Sequence, residues 1–350
     1  MVVKVSAAAG TPDPVATPLP WLDPVLARAQ ALAHAHALLL HGALGDGLVE
    51  CAQRIVSQWL CEAPPQRSSP CGECESCRLL AGGVHPDLFC LLPEEWLLRQ
   101  GLPLPDGAAG ERSDAAGGKR KPSRQIRIGE VRAAIDWTAR TSSRGGAKVV
   151  LVHPATAMNL QSASALLKTL EEPPAGVRLL LTAAEPARLL PTVRSRCQVL
   201  RLTPPAPAVA MDWLRAQGLA EPATLLAACS GRPLDARDLA AAGLDAARWQ
   251  ALPAAVLQRQ PGALGSLPLP TLIDVLQKIC HDGLILAAGA SPRFFPEAAL
   301  AAPAASEALA LWSRELARIA RHADHPWHEG LLVDSLLART ASAWQGRFDP

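Results

Sequence analysis

Through about Leu202, short apolar runs alternate with stretches of helical periodicity. Leu22 to Ala37 has helical character, and Ala37-Leu38-Leu39-Leu40-His41 is short and apolar enough to be a buried strand. Gly42-Ala43-Leu44-Gly45-Asp46-Gly47 follows as a glycine-rich loop, and Leu48 to Leu60 returns to helix. Strand, glycine loop and helix in that order aim backbone N–H groups and a helix N-terminus at an anion. Asp87 to Leu92 predicts a second strand, and Ile126 to Arg140 an amphipathic helix with Val131, Ile135 and Trp137 on one face. Lys148-Val149-Val150-Leu151-Val152 has the β-branched, continuously apolar character of a strand buried in a parallel sheet. Asn159 to Leu170 predicts a helix stopped by Pro173-Pro174. An apolar strand, Val177 to Leu181, comes next, then a turn ending in Val193-Arg194-Ser195-Arg196-Cys197. This alternation predicts an α/β domain built on a doubly wound parallel sheet.

The pattern changes at its two ends and once in the middle. Residues 1–20 are rich in Ala and Pro and read as a flexible leader. Residues 21–203 hold the α/β domain, with a cysteine-rich insertion at 61–77 and a loop at 99–124 that is mobile by its Gly, Pro, Ser and charged composition. Thr203-Pro204-Pro205-Ala206-Pro207 punctuates the chain, and everything beyond it is helical in pattern. A small helical domain is expected at 204–245 and a larger all-α domain at 246–350.

At 350 residues the chain is long enough for two or three domains, and 49% hydrophobic with 19% charged residues supports well-formed cores. A net charge of +2 gives no overall nucleic-acid signature, so any DNA contact needs a local patch. Lys119-Arg120-Lys121 with Arg124 and Arg127 is the candidate, but no aromatic residue interleaves for base stacking, and a solvated loop is the better reading. No run of 18 apolar residues exists to span a membrane, and the leader lacks the apolar segment of a signal peptide. Nine cysteines without an export signal fit a reducing compartment, with the cytoplasm expected and metal binding favoured over disulfides.

Cys61, Cys71, Cys74 and Cys77 have the spacing of a closed tetrahedral Zn²⁺ site of structural type. A redox pair at Cys71/Cys74 or Cys74/Cys77 is the competing chemistry, Cys51 and Cys90 lie outside the cluster, and His85 is a substitute ligand of lower rank. The glycine loop is less complete. Gly42, Gly45 and Gly47 are in place for a phosphate loop, yet Leu48 and Val49 stand where Lys and Ser/Thr belong. Asp46 and Glu50 add negative charge that opposes an anion. After the strand at 148–152, where an ATPase offers a metal-binding Asp, the chain offers His153-Pro154, and neutral imidazole is a poor Mg²⁺ ligand. Thr182 is the one polar group left for a sensor role, and Arg232 in Ser230-Gly231-Arg232-Pro233-Leu234 is a doubtful phosphate contact. ATP is not expected to bind this chain, and neither ATPase nor polymerase activity is expected of it alone. His325 and His328 lack partners for a metal site and read as a turn before the last helix.

The run Leu166-Leu167-Lys168-Thr169-Leu170-Glu171-Glu172-Pro173-Pro174, followed by Ser195-Arg196-Cys197, resembles the clamp-loader branch of the AAA+ family, in particular its δ′ members from bacterial DNA polymerase III. Pro20-Trp21-Leu22, the glycine loop and the cysteine cluster agree with it, and the likeness covers about residues 20–202. It implies an AAA+-like domain with an inserted zinc module, a small helical lid at 204–245 and a helical oligomerisation domain at 246–350. Arg196, flanked by Ser195 and Cys197, would then be an arginine finger acting in trans on the ATP of a neighbouring subunit, since a guanidinium is always charged and its planar fork suits phosphate oxygens. The chain would be a rigid, non-catalytic platform in a hetero-pentamer with γ/τ ATPase subunits and a δ subunit, meeting the sliding clamp and primed DNA through that complex. An ATP-hydrolysing motor subunit with a divergent nucleotide site is the alternative, and a stand-alone zinc and single-strand-binding module a third.

Overall fold

Among the described residues, five short strands make one all-parallel sheet: β1 (Ala37–His41), β2 (Leu88–Leu91), β3 (Lys148–Val152), β4 (Val177–Ala183) and β5 (Gln198–Arg201). Their order is β2-β3-β4-β1-β5. This is a computed structural model, and it describes residues 18–32, 34–63, 70–102, 104, 121–264, 267–322 and 328–347. Residues 1–17 of the expected leader, 105–120 of the 99–124 loop (Lys119 and Arg120 with them) and the His325 turn lie outside the described residues. The chain divides into two compact units, Met1–Pro204 and Pro205–Pro350.

In the first unit the helices are α1 (Asp23–Ala31), α2 (Leu48–Leu60), α3 (Glu75–Ala81), α4 (Glu94–Arg99), α5 (Ile128–Thr138), α6 (Leu160–Glu171) and the single turn α7 (Pro191–Arg194). Parallel strands need returning crossovers, and the helices in those crossovers cover both faces of the sheet. Val131 and Ala134 of α5 with Leu166 and Leu170 of α6 pack on one face, against Leu39, Val150, Val152, Leu179 and Leu181. Helix α2 packs on β1, β3 and β4, its Leu48 and Ile55 fully buried. That double cover explains why β3 is buried at all five positions. Lys148 opens β3 yet is only 4% exposed. Its ammonium donates to the carbonyls of Trp137 (2.5 Å) and Arg140 (2.7 Å) at the end of α5, a cation capping a helix C-terminus.

Two boundaries depart from the sequence expectation. Helix α1 stops at Ala31 instead of running to Ala37, because the chain must turn before pairing with β4 and β5 from Ala37 onward. Helix α4 was not anticipated. It begins after Pro93 and holds the far end of the 99–124 loop: the Ser123 N–H donates to Glu94 (2.7 Å), and Arg124 pairs with Glu95 (2.8 Å). With Arg127 paired to Glu94 (2.9 Å), both described arginines of the basic candidate patch are engaged inside the fold.

The second unit is helical throughout its described residues: α8 (Pro207–Ala216), α9 (Pro222–Ala228), α10 (Pro233–Ala241), α11 (Ala246–Leu257), α12 (Pro261–Leu264), α13 (Leu269–Ala287), α14 (Ser306–Ala320) and α15 (Glu329–Trp344). Proline at the first position of α8, α9 and α10 fits a site whose backbone N–H has no helical partner. Asp282 of α13 is 0% exposed and anchors the following loop, accepting from the N–H groups of Arg293 (3.0 Å), Phe294 (2.7 Å) and Phe295 (2.9 Å). Phe295 stacks on Trp249 of α11 at 4.9 Å, and the Trp249 indole donates to the Phe294 carbonyl. Removing the carboxylate leaves three N–H donors, one of them buried, without their acceptor, so Asp282→Ala should destabilise this unit by about 1–3 kcal/mol. Denaturant unfolding measures the loss, and hydrogen exchange should show it as lost protection at Arg293–Phe295.

Candidate functional site

The cysteine insertion folds as the sequence spacing requires. The sulfurs of Cys61, Cys71, Cys74 and Cys77 all lie within 4.8 Å of one another, with Cys71 and Cys77 4.0 Å apart. A tetrahedral ion with metal–sulfur bonds of ~2.3 Å sets its sulfurs ~3.8 Å apart, so the four donors fit a closed metal site. Backbone N–H groups already point at the sulfurs: Cys71 at Cys61 (3.5 Å), Cys74 at Cys71 (3.3 Å) and Cys77 at Cys74 (3.4 Å). The Cys74 N–H, followed by the Glu73 N–H, pulls the Cys71 thiol down to about 6, whereas burial pushes Cys77 up. A cation among them would displace the proton that burial favours on Cys77.

His85 is no ligand. It is 2% exposed, and its Nδ1 accepts from the Asp87 N–H (3.1 Å), which leaves the proton on Nε2. Nε2 donates to the Ser76 hydroxyl (3.0 Å), which donates to Glu62 (2.8 Å), and Glu62 pairs with Arg144 (2.5 Å). Arg144 holds the Glu62 carboxyl down at about 2. Asp87 closes the network by accepting from Ser142 Oγ (3.0 Å) and from the N–H groups of Ser143 (2.8 Å) and Arg144 (3.0 Å). The insertion is thereby fastened at Glu62 and Ser76 to the segment leading into β2 and the loop before β3. Sequence spacing found the thiols but not this buttress, whose members are far apart in the chain.

Ligands of open α/β sheets bind beyond the carboxyl ends of the strands. There β1 delivers the glycine loop, β3 delivers His153 and β4 delivers Thr182. The loop is packed from within. A side chain at Gly42 would bring its Cβ to 2.7 Å from Leu202 Cβ, and one at Gly47, where φ is +93°, would approach Leu19 at 3.2 Å. Leu48 is 0% exposed, and the Trp21 indole donates to the Asp46 carbonyl at 2.8 Å. His153 and Thr182, the expected metal and sensor positions, face each other: Nδ1 and Oγ1 are 2.7 Å apart, and the Thr182 hydroxyl also donates to the Val152 carbonyl (3.3 Å). Trp96 closes the His153 ring edge-on at 5.4 Å.

Arg196 sits differently. Its side chain is 31% exposed, just after α7, and it pairs with Glu171 at the end of α6. Nε donates to Glu171 Oε1 (2.5 Å), and Nη1 donates to the Thr192 carbonyl (2.9 Å). The rest of the expected triplet is structural: Ser195 donates to the Thr192 carbonyl (3.1 Å), and the buried Cys197 thiol donates to the Val193 carbonyl (3.3 Å). Arg232 pairs with Asp235 at the start of α10. Cys51, Cys90, Cys197, Cys229 and Cys280 are buried, and burial pushes their thiols up to about 12, out of the reactive range.

Burial lowers the His153 imidazole from 6.5 to about 4. The unfolded chain therefore takes up this proton as pH falls through 6.5, while the folded chain resists until about 4. Stability is full above the upper value and falls with acid between the two, by up to about 3 kcal/mol from this group. Denaturation midpoints at pH 7.5 and 5 should diverge less in His153→Gln than in the parent.

Residues 25–206 match the family described as "DNA polymerase III, delta subunit". The DNA polymerase III subunit delta' of Pseudomonas aeruginosa is 38% identical over 253 residues, covering 69% of this chain and 69% of that protein. The Escherichia coli subunit delta' is 35% identical over 216 residues, which are 60% of this chain and 56% of that protein. The DNA polymerase III subunit tau of Escherichia coli is 30% identical over 162 residues, 46% of this chain and 20% of that protein. No described helix is long and apolar enough to cross a membrane. On the family match, the delta' relatives and the parallel sheet with its inserted four-cysteine cluster, this chain belongs to the DNA polymerase III delta' family.

Proposed function

We propose that the chain is a non-hydrolysing subunit of a cytoplasmic clamp loader, a rigid platform beside γ/τ-type ATPase subunits and a δ-type subunit in a hetero-pentamer. That complex would open a sliding clamp and place it on primed DNA. The observation carrying this reading is the contrast between two sites. At the carboxyl edge of the sheet, Leu48 is buried and His153 and Thr182 engage each other, which leaves no cation for phosphate and no carboxylate for Mg²⁺ at those positions. Arg196 lies instead at the surface, between α7 and β5, where a neighbouring subunit's triphosphate would have access.

In this role Arg196 neutralises charge that develops on a neighbour's γ-phosphate. Trans arginines of this kind contribute about 10³–10⁵ in rate in well-studied GTPases. Arg196→Ala should leave assembly intact and lower the DNA-stimulated ATPase of the reconstituted complex at the site it serves. An ATPase equal to the parent's would remove the finger role.

The four thiols would hold Zn²⁺ as a structural ion, since soft sulfur donors in a closed tetrahedron favour it and leave no position for substrate. Elemental analysis should find about one zinc per chain, and Cys74→Ser should lose it along with the order of residues 70–77. Retention of metal in that variant would exclude the assignment.

The tau relative favours one second reading, a motor subunit whose nucleotide site has diverged. Calorimetry of the isolated chain with ATP and Mg²⁺ separates the two. The platform reading expects no heat of binding, and saturable micromolar binding would reverse the assignment.

A further inference from the structure

We infer that Glu171 is the positioning residue for Arg196, holding its guanidinium so that one edge faces outward; this rests on the trans-finger reading above. A guanidinium carries five N–H donors in a rigid plane. On one side, Nε and Nη2 both engage Glu171, with Nε at 2.5 Å from Oε1. On the other side, Nη1 donates to the Thr192 carbonyl at 2.9 Å. In the planar fork the remaining N–H of each terminal nitrogen would form the end-on edge, and the only further contact of those nitrogens among the described residues is Nη1 with the Ser195 hydroxyl at 3.4 Å. That is the edge whose parallel donors match two phosphate oxygens.

Both partners stand on fixed ground. Glu171 follows Leu170, which is 0% exposed and whose carbonyl accepts from His36 Nε2 at 2.9 Å. Helix α6 is set at its other end by Asn159, which accepts from the Ser162 N–H (2.9 Å), and by Ser162 Oγ, which donates to the Ile126 carbonyl (2.9 Å). Arg196 lies between Val193, 0% exposed, and Cys197, whose thiol is tied to the Val193 carbonyl. A long, flexible side chain is thus clamped at three of its nitrogens by groups of its own unit. Clamping removes rotamer freedom before the neighbour arrives.

The test uses the reconstituted complex and compares kcat with KM for ATP. Arg196→Ala sets the full loss. Glu171→Ala should lower kcat by about threefold to tenfold with KM for ATP unchanged, as expected for a catalytic group left in place but unfixed. Glu171→Gln keeps an oxygen acceptor and should recover most of that loss. In the Arg196→Ala background neither Glu171 variant should slow the enzyme further, because Glu171 acts only through the arginine. The inference fails if Arg196→Ala slows turnover while Glu171→Ala is as fast as, or faster than, the parent; a faster enzyme would mean that the carboxylate competes with phosphate. It fails also if the two losses add. If Arg196→Ala itself turns over normally, the finger reading falls first and takes the positioning role with it.

Discussion

A sheet of parallel strands buried on both faces dictates the first unit. Each strand must return through a crossover, so β1, β3 and β4 release their chain at one edge, where the ligands of open α/β sheets bind. In this protein the edge is sealed with the core's own materials. Leu48 contributes to the packing of α2, and fully burying a leucine stabilises by about 1.5–3 kcal/mol. A lysine at that position would lose this burial and would have to bring a charge into a space shaped for a methyl group. His153 is held neutral there and faces Thr182. On the non-hydrolysing reading proposed above, replacing one residue would not create a nucleotide site, because the position a phosphate ligand would need is held by core packing.

The four-cysteine insertion poses the opposite problem. Helix α3 has seven residues, far too few to bury a core, so the module depends on cross-links. Four thiols supply one set. The chain Glu62–Ser76–His85–Asp87 supplies another and ends on Arg144, in the loop before β3. Asp87 is 1% exposed and satisfied by three donors from residues 142–144, so breaking it would strand those donors as well as free the module. The thiol cluster and the sheet are thereby held as parts of one unit.

Where periodicity or spacing carried the signal, the sequence was legible. Strands β1 and β3 and helix α2 fall on their expected residues, since an apolar run between a turn and a glycine loop has one reading. The four thiols were equally plain. Helix α4 carries no sequence signal because Glu94–Arg99 is too short to show a period, and the expected helix extends past Ala31 because Ala-rich sequence has no strong stop. What pattern could not reach were the pairings across sequence. The His153–Thr182 contact spans 29 residues, Arg144–Glu62 spans 82, and Lys148 capping α5 looked like an ordinary strand residue. Such partners are chosen by the fold, after the strands have fixed which loops meet.

The Arg196–Glu171 pair joins the two motifs that looked most telling in sequence, and its surroundings narrow what it can be for. With side chains 31% and 47% exposed, the pair is of the kind that contributes about 0–1 kcal/mol, because water screens it and two flexible chains must be ordered. Stability is therefore a weak reason for it. Elsewhere in the unit, charges that matter to stability are buried and multiply bonded, as Asp87 and Lys148 are. Arg196 instead spends three nitrogens on fixing its own direction while staying at the surface. Fixing the direction of a charged group is useful only toward something outside, and a guanidinium's outward edge is cut to a phosphate's measure. On the trans-finger reading proposed above, the same unit that packs its glycine loop with leucine would keep one cation oriented toward a neighbour's phosphate.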